Sequence, residues 1–287
     1  MKPALFSYRD PRTLEEALEL LAEHGDEASL LAGGQSLVPL LNLRLARPSV
    51  LIDVNRIPGL DGIEVREDRL RVGALVRAAA LERHTDVASA LPVVREALRY
   101  VAHPQIRNRT TIGGNLAHAD PAAELPAIVA ALDGTVTLVS RGGQREVSWR
   151  DFFRGMLTTA RRPDEMVAWV ELPRPPGLRL TFLEVARRHG DFALAGACVG
   201  LSAENGTVAD ARIALIGVGG TPVRVPAAEE SLIGGPLDAE GLREMEARVR
   251  DAAKPIDDVH ASADYRRALV AVLARRGAAK LAEGSDA

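Results

Sequence analysis

An α+β chain in three parts is predicted by three observations. Residues 1–57 run strand, glycine turn, helix, strand; the pattern changes from about residue 58; and the cluster Pro173-Arg174-Pro175-Pro176-Gly177 is followed first by alternating strands and then by helices. Three prolines in four residues resist both helix and central strand, so a boundary is expected there. The expected parts are an α/β unit at 1–57, a second α+β part at 58–176, and at 177–287 a three-stranded antiparallel sheet packed by helices.

In the first part, Thr13 and Glu16 stand at capping-box spacing ahead of the apolar positions Leu14, Ala17, Leu18 and Leu21, and Gly25 closes that helix. Ser29-Leu30-Leu31-Ala32 reads as a short apolar strand, Leu37, Leu40, Leu41 and Leu45 follow helical spacing, and Val50-Leu51-Ile52-Asp53-Val54 is the next strand. In the second part a strand is expected at 70–75, helices around 77–84 and 91–102, and strands near 135–140 and 166–172. Pro126 is tolerated only in a first turn, so a helix should begin close to it. Beyond the linker, 179–187, 193–204 and 207–217 read as strands, with Asn205-Gly206 where a type I′ hairpin turn needs positive φ; 225–232, 238–252 and 262–282 read as helical.

Composition narrows the function. With 287 residues and 47% hydrophobic content the chain can bury sizeable cores. Its formal charge of −3 arises from 36 basic and 39 acidic residues that are interspersed, which leaves no basic block for nucleic acid. A single cysteine, Cys198, excludes disulfides, CxxC metal sites and an iron–sulfur ligand set, so any such cluster must belong to another subunit. The N-terminus has no apolar h-region and no stretch approaches the roughly 18 apolar residues of a membrane span, so a cytoplasmic location is expected by default. His103 and His118 lack any HxxxH, HxH or cysteine partner, and no GxSxG elbow is present; neither a metal nor covalent hydrolytic catalysis is expected here.

Two glycine pairs carry the most chemistry: Ala32-Gly33-Gly34-Gln35-Ser36-Leu37 and Thr111-Ile112-Gly113-Gly114-Asn115. Neither is a GxGxxG fingerprint or a Walker loop. A lone glycine pair after a strand is usually only a tight connection. Here, however, each is flanked by hydroxyl or amide side chains, and each can bring bare backbone N–H groups close to a phosphate. Ser36 is placed to cap the following helix, whose N-terminus favours anions. Asn115 serves either a ligand or an αL turn. Glu124, near a helix start, either accepts hydrogen bonds from ligand hydroxyls or complements the helix dipole, and Asp120 before Pro121 has the same two readings.

The run from Ala102 through His103-Pro104-Gln105-Ile106-Arg107-Asn108-Arg109-Thr110 and the second glycine loop to Asp120 and Glu124 closely resembles the FAD-binding medium subunit of molybdenum hydroxylases, the xanthine dehydrogenase and aerobic carbon monoxide dehydrogenase groups. The resemblance spans nearly the whole chain: AGGQSL near residue 33, LIDVNRIPGL at 51–60, the run above, ARRHGDFALAG at 186–196 and SADYRRAL at 262–269. It implies an FAD-binding fold of the vanillyl-alcohol-oxidase type in two α/β parts, followed by the C-terminal sheet and helices. It also implies that the residues from Ala32 to Leu37 and from Thr111 to Asn115 hold the diphosphate from opposite sides, with Ala102 and Asp120 close by and Glu124 at the ribityl chain. Phe192 matches the position that lies against the isoalloxazine ring, where an aromatic side chain stacks; its plain alternative is a core residue of the first inner strand. Where many relatives carry lysines, this chain has Ala28-Ser29 and Glu184, and Gln35 stands where the carbon monoxide enzymes tend to have histidine.

By this resemblance the chain is an electron-transfer subunit with no catalytic residue of its own. It would pass electrons from 2Fe-2S clusters of a small partner subunit through FAD to an external acceptor (quinone, NAD, ferredoxin or oxygen). A large partner subunit would carry the molybdenum cofactor, in a heterotrimer that dimerises. The alternatives are a self-sufficient FAD-dependent oxidoreductase, for which about 110 residues beyond the linker are too few for a substrate domain, and a flavin-free assembly subunit.

Overall fold

In the computed structural model, which describes residues 2–283, the first part is a three-stranded parallel sheet. Its elements are β1 (Ser7–Arg9), α1 (Leu14–His24), β2 (Ala28–Leu31), α2 (Leu37–Asn42) and β3 (Val50–Asp53), in spatial order β1-β3-β2. The expected capping box opens α1: Glu16 N donates to Thr13 Oγ1 at 3.1 Å and Thr13 N to Glu16 Oε2 at 3.3 Å. Gly25, at φ +48°, ends it. Ala17, Leu18 and Leu21 then share one helix face and bury against Val50 and Ile52 of the central strand.

The second part comprises β4 (Ile63–Val65), β5 (Arg69–Gly73), α3 (Ala78–Arg83), α4 (Thr85–Ala90), α5 (Pro92–Tyr100), α6 (Pro104–Arg107), α7 (Ile112–His118), α8 (Leu125–Ala131), β6 (Thr135–Ser140), β7 (Gly143–Ser148), α9 (Trp149–Phe152), β8 (Phe153–Gly155), β9 (Thr158–Thr159) and β10 (Met166–Pro173). Five of these strands form an antiparallel sheet in the order β4-β5-β10-β6-β7. Both edge strands escape the sequence reading for one reason: β4 is short and β7 is mostly exposed and polar, so neither carries an apolar period. Pro126 sits in the first turn of α8, as its missing N–H requires, and every residue of that helix is buried.

The third part corrects an expectation. Its sheet has four strands, not three: β11 (Arg179–Ala186), β12 (Ala193–Glu204), β13 (Thr207–Ile216) and β14 (Val223–Arg224) in sequential order. β14 pairs only Val223 and Arg224 with β13, too short a run to show alternation. Asn205 and Gly206 join β12 to β13 at φ +51° and +78°, the two positive values the turn demands. Helices α10 (Pro226–Glu230), α11 (Ala239–Ala252) and α12 (Ala263–Glu283) complete the chain, and among the described residues no helix is long and apolar enough to cross a membrane.

Both faces of this last sheet are covered. Phe182, Cys198, Ala214 and Ile216 join the core that contains α5 and α8, whereas Leu183, Val199, Ile213 and Leu215 join Val270, Leu273 and Ala274 of α12. Burying each such Leu, Ile or Phe contributes about 1.5–3 kcal/mol. A polar clamp reinforces the first of these interfaces: Asp133, just past α8, accepts from Trp149 Nε1 at 3.0 Å, from Arg224 Nη1 at 3.2 Å and from the Arg212 guanidinium. Arg224 also binds Glu229 through both carboxylate oxygens, and Glu229 Oε1 accepts from Ile213 N at 2.7 Å.

Candidate functional site

The first glycine loop is the exit from β2. Gly34 adopts φ +74°, and Gln35 Nε2 donates to Gly33 O at 3.0 Å, which holds the bend. Among the described residues, the backbone N–H groups of Gly33, Gly34, Gln35, Ser36 and Leu37 donate to no protein acceptor. Such a row of free donors is an anion-binding feature. Ser36 departs from expectation: its backbone is already helical (φ −100°, ψ −46°), not extended as a capping residue's is, and its side chain makes no capping bond.

The second glycine pair is not in a loop, as the sequence suggests, but in the first turn of α7. Thr111 caps α7, its Oγ1 accepting from Gly114 N at 3.2 Å. Ile112 N donates to Val76 O at 3.0 Å, Gly113 N to Ala74 O at 2.9 Å and Asn115 N to Thr111 O at 2.9 Å. The amides of Ile112, Gly113, Gly114 and Asn115 are thus satisfied inside the protein, and the second row of free N–H groups that the sequence suggests is not there. Its glycines serve close packing instead: a Cβ on Gly113 would stand 2.4 Å from Ala74 Cβ, and one on Gly114 2.6 Å from Thr111 Oγ1. What this turn offers a ligand is Asn115, whose Oδ1 is buried and, among the described residues, without a hydrogen-bond partner.

The two bends converge. A Cβ on Gly33 would lie 2.4 Å from Arg109 O and 3.0 Å from Thr110 Cα, and one on Gly114 3.9 Å from Ala32 Cβ. Asn55 and Arg77 tie them together. Asn55 Nδ2 donates to Ala32 O at 2.9 Å, Arg77 Nη2 donates to Asn55 Oδ1 at 2.5 Å, and Arg77 Nη1 reaches Arg109 O at 2.5 Å. Sequence reasoning misses both residues, although Asn55 lies within LIDVNRIPGL, which did carry a signal.

Below α7 the chain turns through Ala119 at φ +51°, and Asp120 Oδ1 accepts from Ala122 N at 2.9 Å. Glu124 follows at the head of α8, only 6% exposed and without a capping bond. Burial, with the charge of Asp120 adding to it, pushes its carboxyl up to about 7. A group so disposed is suited to exchanging hydrogen bonds with polar ligand atoms.

A second cluster forms around Ala102. Its backbone is held at φ +42°, and its carbonyl accepts from Arg107 Nη1 at 3.1 Å. Gly190 packs onto this corner: a Cβ there would meet His103 Cε1 at 2.5 Å and Ala102 O at 3.0 Å. Phe192, two residues on, is 73% exposed, so it is not a core residue, and its ring is available to stack on a planar partner. The free N–H row, the side-chain-free approach of the loops, the orphaned Asn115 oxygen and the exposed aromatic fit a phosphate-bearing ligand with a flat ring system.

Residues 4–175 match the family model described as FAD binding domain in molybdopterin dehydrogenase, and residues 181–281 match CO dehydrogenase flavoprotein C-terminal domain. Over 282 residues the chain is 42% identical to 6-hydroxypseudooxynicotine dehydrogenase complex subunit alpha of Paenarthrobacter nicotinovorans, a match covering 98% of this chain and 95% of that protein. Among solved structures, quinoline 2-oxidoreductase from Pseudomonas putida 86 superposes with a TM-score of 0.95 at 38% identity, covering 99% of each chain. Carbon monoxide dehydrogenase from Hydrogenophaga pseudoflava superposes with a TM-score of 0.93 at 36% identity, over 96% of this chain and 97% of that one.

Proposed function

Because this chain belongs to the family of FAD-binding medium subunits of molybdenum hydroxylases, we propose that it is the electron-transfer subunit of such a complex. In this reading it holds FAD non-covalently and connects iron–sulfur clusters of a small partner subunit to an external acceptor, while a large partner subunit carries the molybdenum cofactor. When bound, FAD supplies electron transfer in steps of one or two. The family's FAD fold, of the vanillyl-alcohol-oxidase type, would occupy the parts at 1–57 and 58–176, with 177–287 as the third part.

The observation that carries the reading is the row of five unpartnered N–H groups at residues 33–37, set against a loop that a side chain on Gly33 would push away. These donors would take the diphosphate, whose charge their partial positive charges offset without any lysine or arginine. Asn115, Asp120 and Glu124 would hold polar atoms of the ligand, Ala102 would line its path, and Phe192 would lie against the ring. The size of the match agrees with a subunit role: the chain spans 95% of a relative that is itself one subunit of a dehydrogenase complex.

Purified chain incubated with FAD should show protein-bound flavin bands at about 370 and 450 nm. A protein that stays colourless after gel filtration is a flavin-free scaffold instead. Co-purification from the native host, with the partners identified by mass spectrometry, should return one iron–sulfur and one molybdenum subunit in equal amounts with this chain; recovery of the flavinylated chain alone would favour a self-sufficient enzyme.

A further inference from the structure

Glu184 lies on β11 with one carboxylate oxygen, Oε2, buried and without a hydrogen-bond partner among the described residues. Strand alternation decides which way it faces. Leu183 and Val185 turn toward α12, so Glu184 shares the opposite face with Phe182, toward α5 and the head of α8. Across the sheet its partner is Gly196, and a Cβ there would come within 3.2 Å of Glu184 Cβ and 2.9 Å of Ile216 Cγ1, so the Glu184 side chain stands over a bare backbone.

The groups that face this position are acidic or phenolic. Glu124 comes from the head of α8 and has Asp120 beside it; Tyr100 and Glu96 come from α5, with Glu96 already paired to Lys280 at 3.1 Å. β12 and β13 contribute Gly196 and Ile216, which carry no charge, and the other face of β11 belongs to the apolar packing under α12. Among the described residues no cation neutralises Glu184, and two carboxylates in such surroundings cannot both ionise cheaply. Burial accordingly raises both, Glu184 to about 8 with the charge of Glu124 adding to it, and Glu124 to about 7 with the charge of Asp120 adding to it.

We propose that Glu184 faces the flavin site beside Glu124 and, kept as a neutral carboxylic acid, donates a hydrogen bond to an acceptor atom of the bound cofactor. This rests on the flavin reading above and adds a cofactor-binding residue to it. The donor's unpaired oxygen and the orphaned Asn115 Oδ1 then both find their partner in the ligand. Ionisation of Glu184 would turn the donor into a repelling charge, so cofactor affinity must fall as pH rises.

The test is the affinity of the full-length chain for FAD, followed by flavin fluorescence from about pH 6 to about pH 9.5 in wild type, Glu184→Gln and Glu184→Ala. Wild-type affinity should hold to about pH 7.5 and then weaken by up to about tenfold per pH unit. Glu184→Gln keeps a neutral donor, so it should bind like wild type at neutral pH and lose the alkaline decline. Glu184→Ala should bind about tenfold more weakly at neutral pH and show the same flat profile. A flat wild-type profile, or a Glu184→Gln profile with the wild-type slope, overturns the proposal while leaving the flavin reading intact. Failure of all three proteins to bind FAD at about pH 6 sinks the flavin reading itself.

Discussion

Arg77 donates to Asn55 Oδ1 at 2.5 Å while its other terminal nitrogen reaches the Arg109 carbonyl at 2.5 Å, so one guanidinium spans the two glycine loops. A planar fork with fixed donors can do this, and a lysine ammonium cannot hold both acceptors in the same geometry. Arg77→Lys should therefore loosen the pairing of the loops and weaken FAD binding by about fivefold, roughly the ~1 kcal/mol of one lost hydrogen bond. Isothermal titration calorimetry with FAD measures it; unchanged affinity would show that the bridge does not set the loop spacing.

Gly33→Ala should have a larger effect. The new methyl group would meet Arg109 O at 2.4 Å, a backbone atom that cannot swing aside, so the loops must part. A loss of at least about tenfold in FAD affinity, ~1.4 kcal/mol, is expected. Gly155→Ala is the control, because nothing lies within 4 Å of its Cβ position; it should change binding and stability by no more than about 0.5 kcal/mol.

Stability at the seam between the second and third parts should depend on Glu229. Its carboxylate is bound by Arg224, whose side chain is only 6% exposed, and it also accepts from Ile213 N. Glu229→Ala would leave Arg224 with Asp133 as its remaining carboxylate partner and the Ile213 amide without its acceptor, at a cost of about 1–3 kcal/mol in chemical denaturation. The double substitution Arg224→Met with Glu229→Leu should recover part of that loss, since the apolar pair removes both charges but leaves the Ile213 amide without its acceptor.

Acid sensitivity should trace in part to Glu165. The Arg145 guanidinium, at 2.7 and 2.9 Å, holds its carboxyl down at about 2 from an ordinary 4.5. A folded-state value below the unfolded one means that its contribution is complete above about 4.5 and is lost as pH falls toward about 2. Glu165→Gln should lower stability at neutral pH and flatten the acid limb of the melting-temperature profile; an unchanged limb would assign the acid response to other carboxylates.

Local signals carried much of the fold. Thr13 and Glu16 fixed the start of α1, and Asn205-Gly206 with its flanking alternation fixed the β12–β13 hairpin, because capping and turn chemistry are decided within a few residues. Val223 and Arg224 gave no such sign, since two residues make a strand only through what holds them: Arg224 is fastened by Asp133 and Glu229, far apart in sequence. The site divides in the same way. The first glycine pair was legible as a loop; the second reads as one but is the first turn of α7, and the division of labour between them was not legible. Ile112 and Gly113 bond to the carbonyls of Val76 and Ala74, and that pairing is a tertiary event which no local pattern announces. Phe192 was legible only through the motif around it, and its exposure settles that it is not part of the core.

β12 belongs to two cores at once, giving Cys198 to one and Val199 to the other. A protease nick anywhere in 173–177 would therefore leave two fragments still locked together, held by interdigitated side chains and the Asp133 clamp rather than by the severed peptide. The proline segment is a covalent convenience. The third part is a wall that the first two cannot shed, and the loop bearing Phe192 runs directly into a strand held on both flanks.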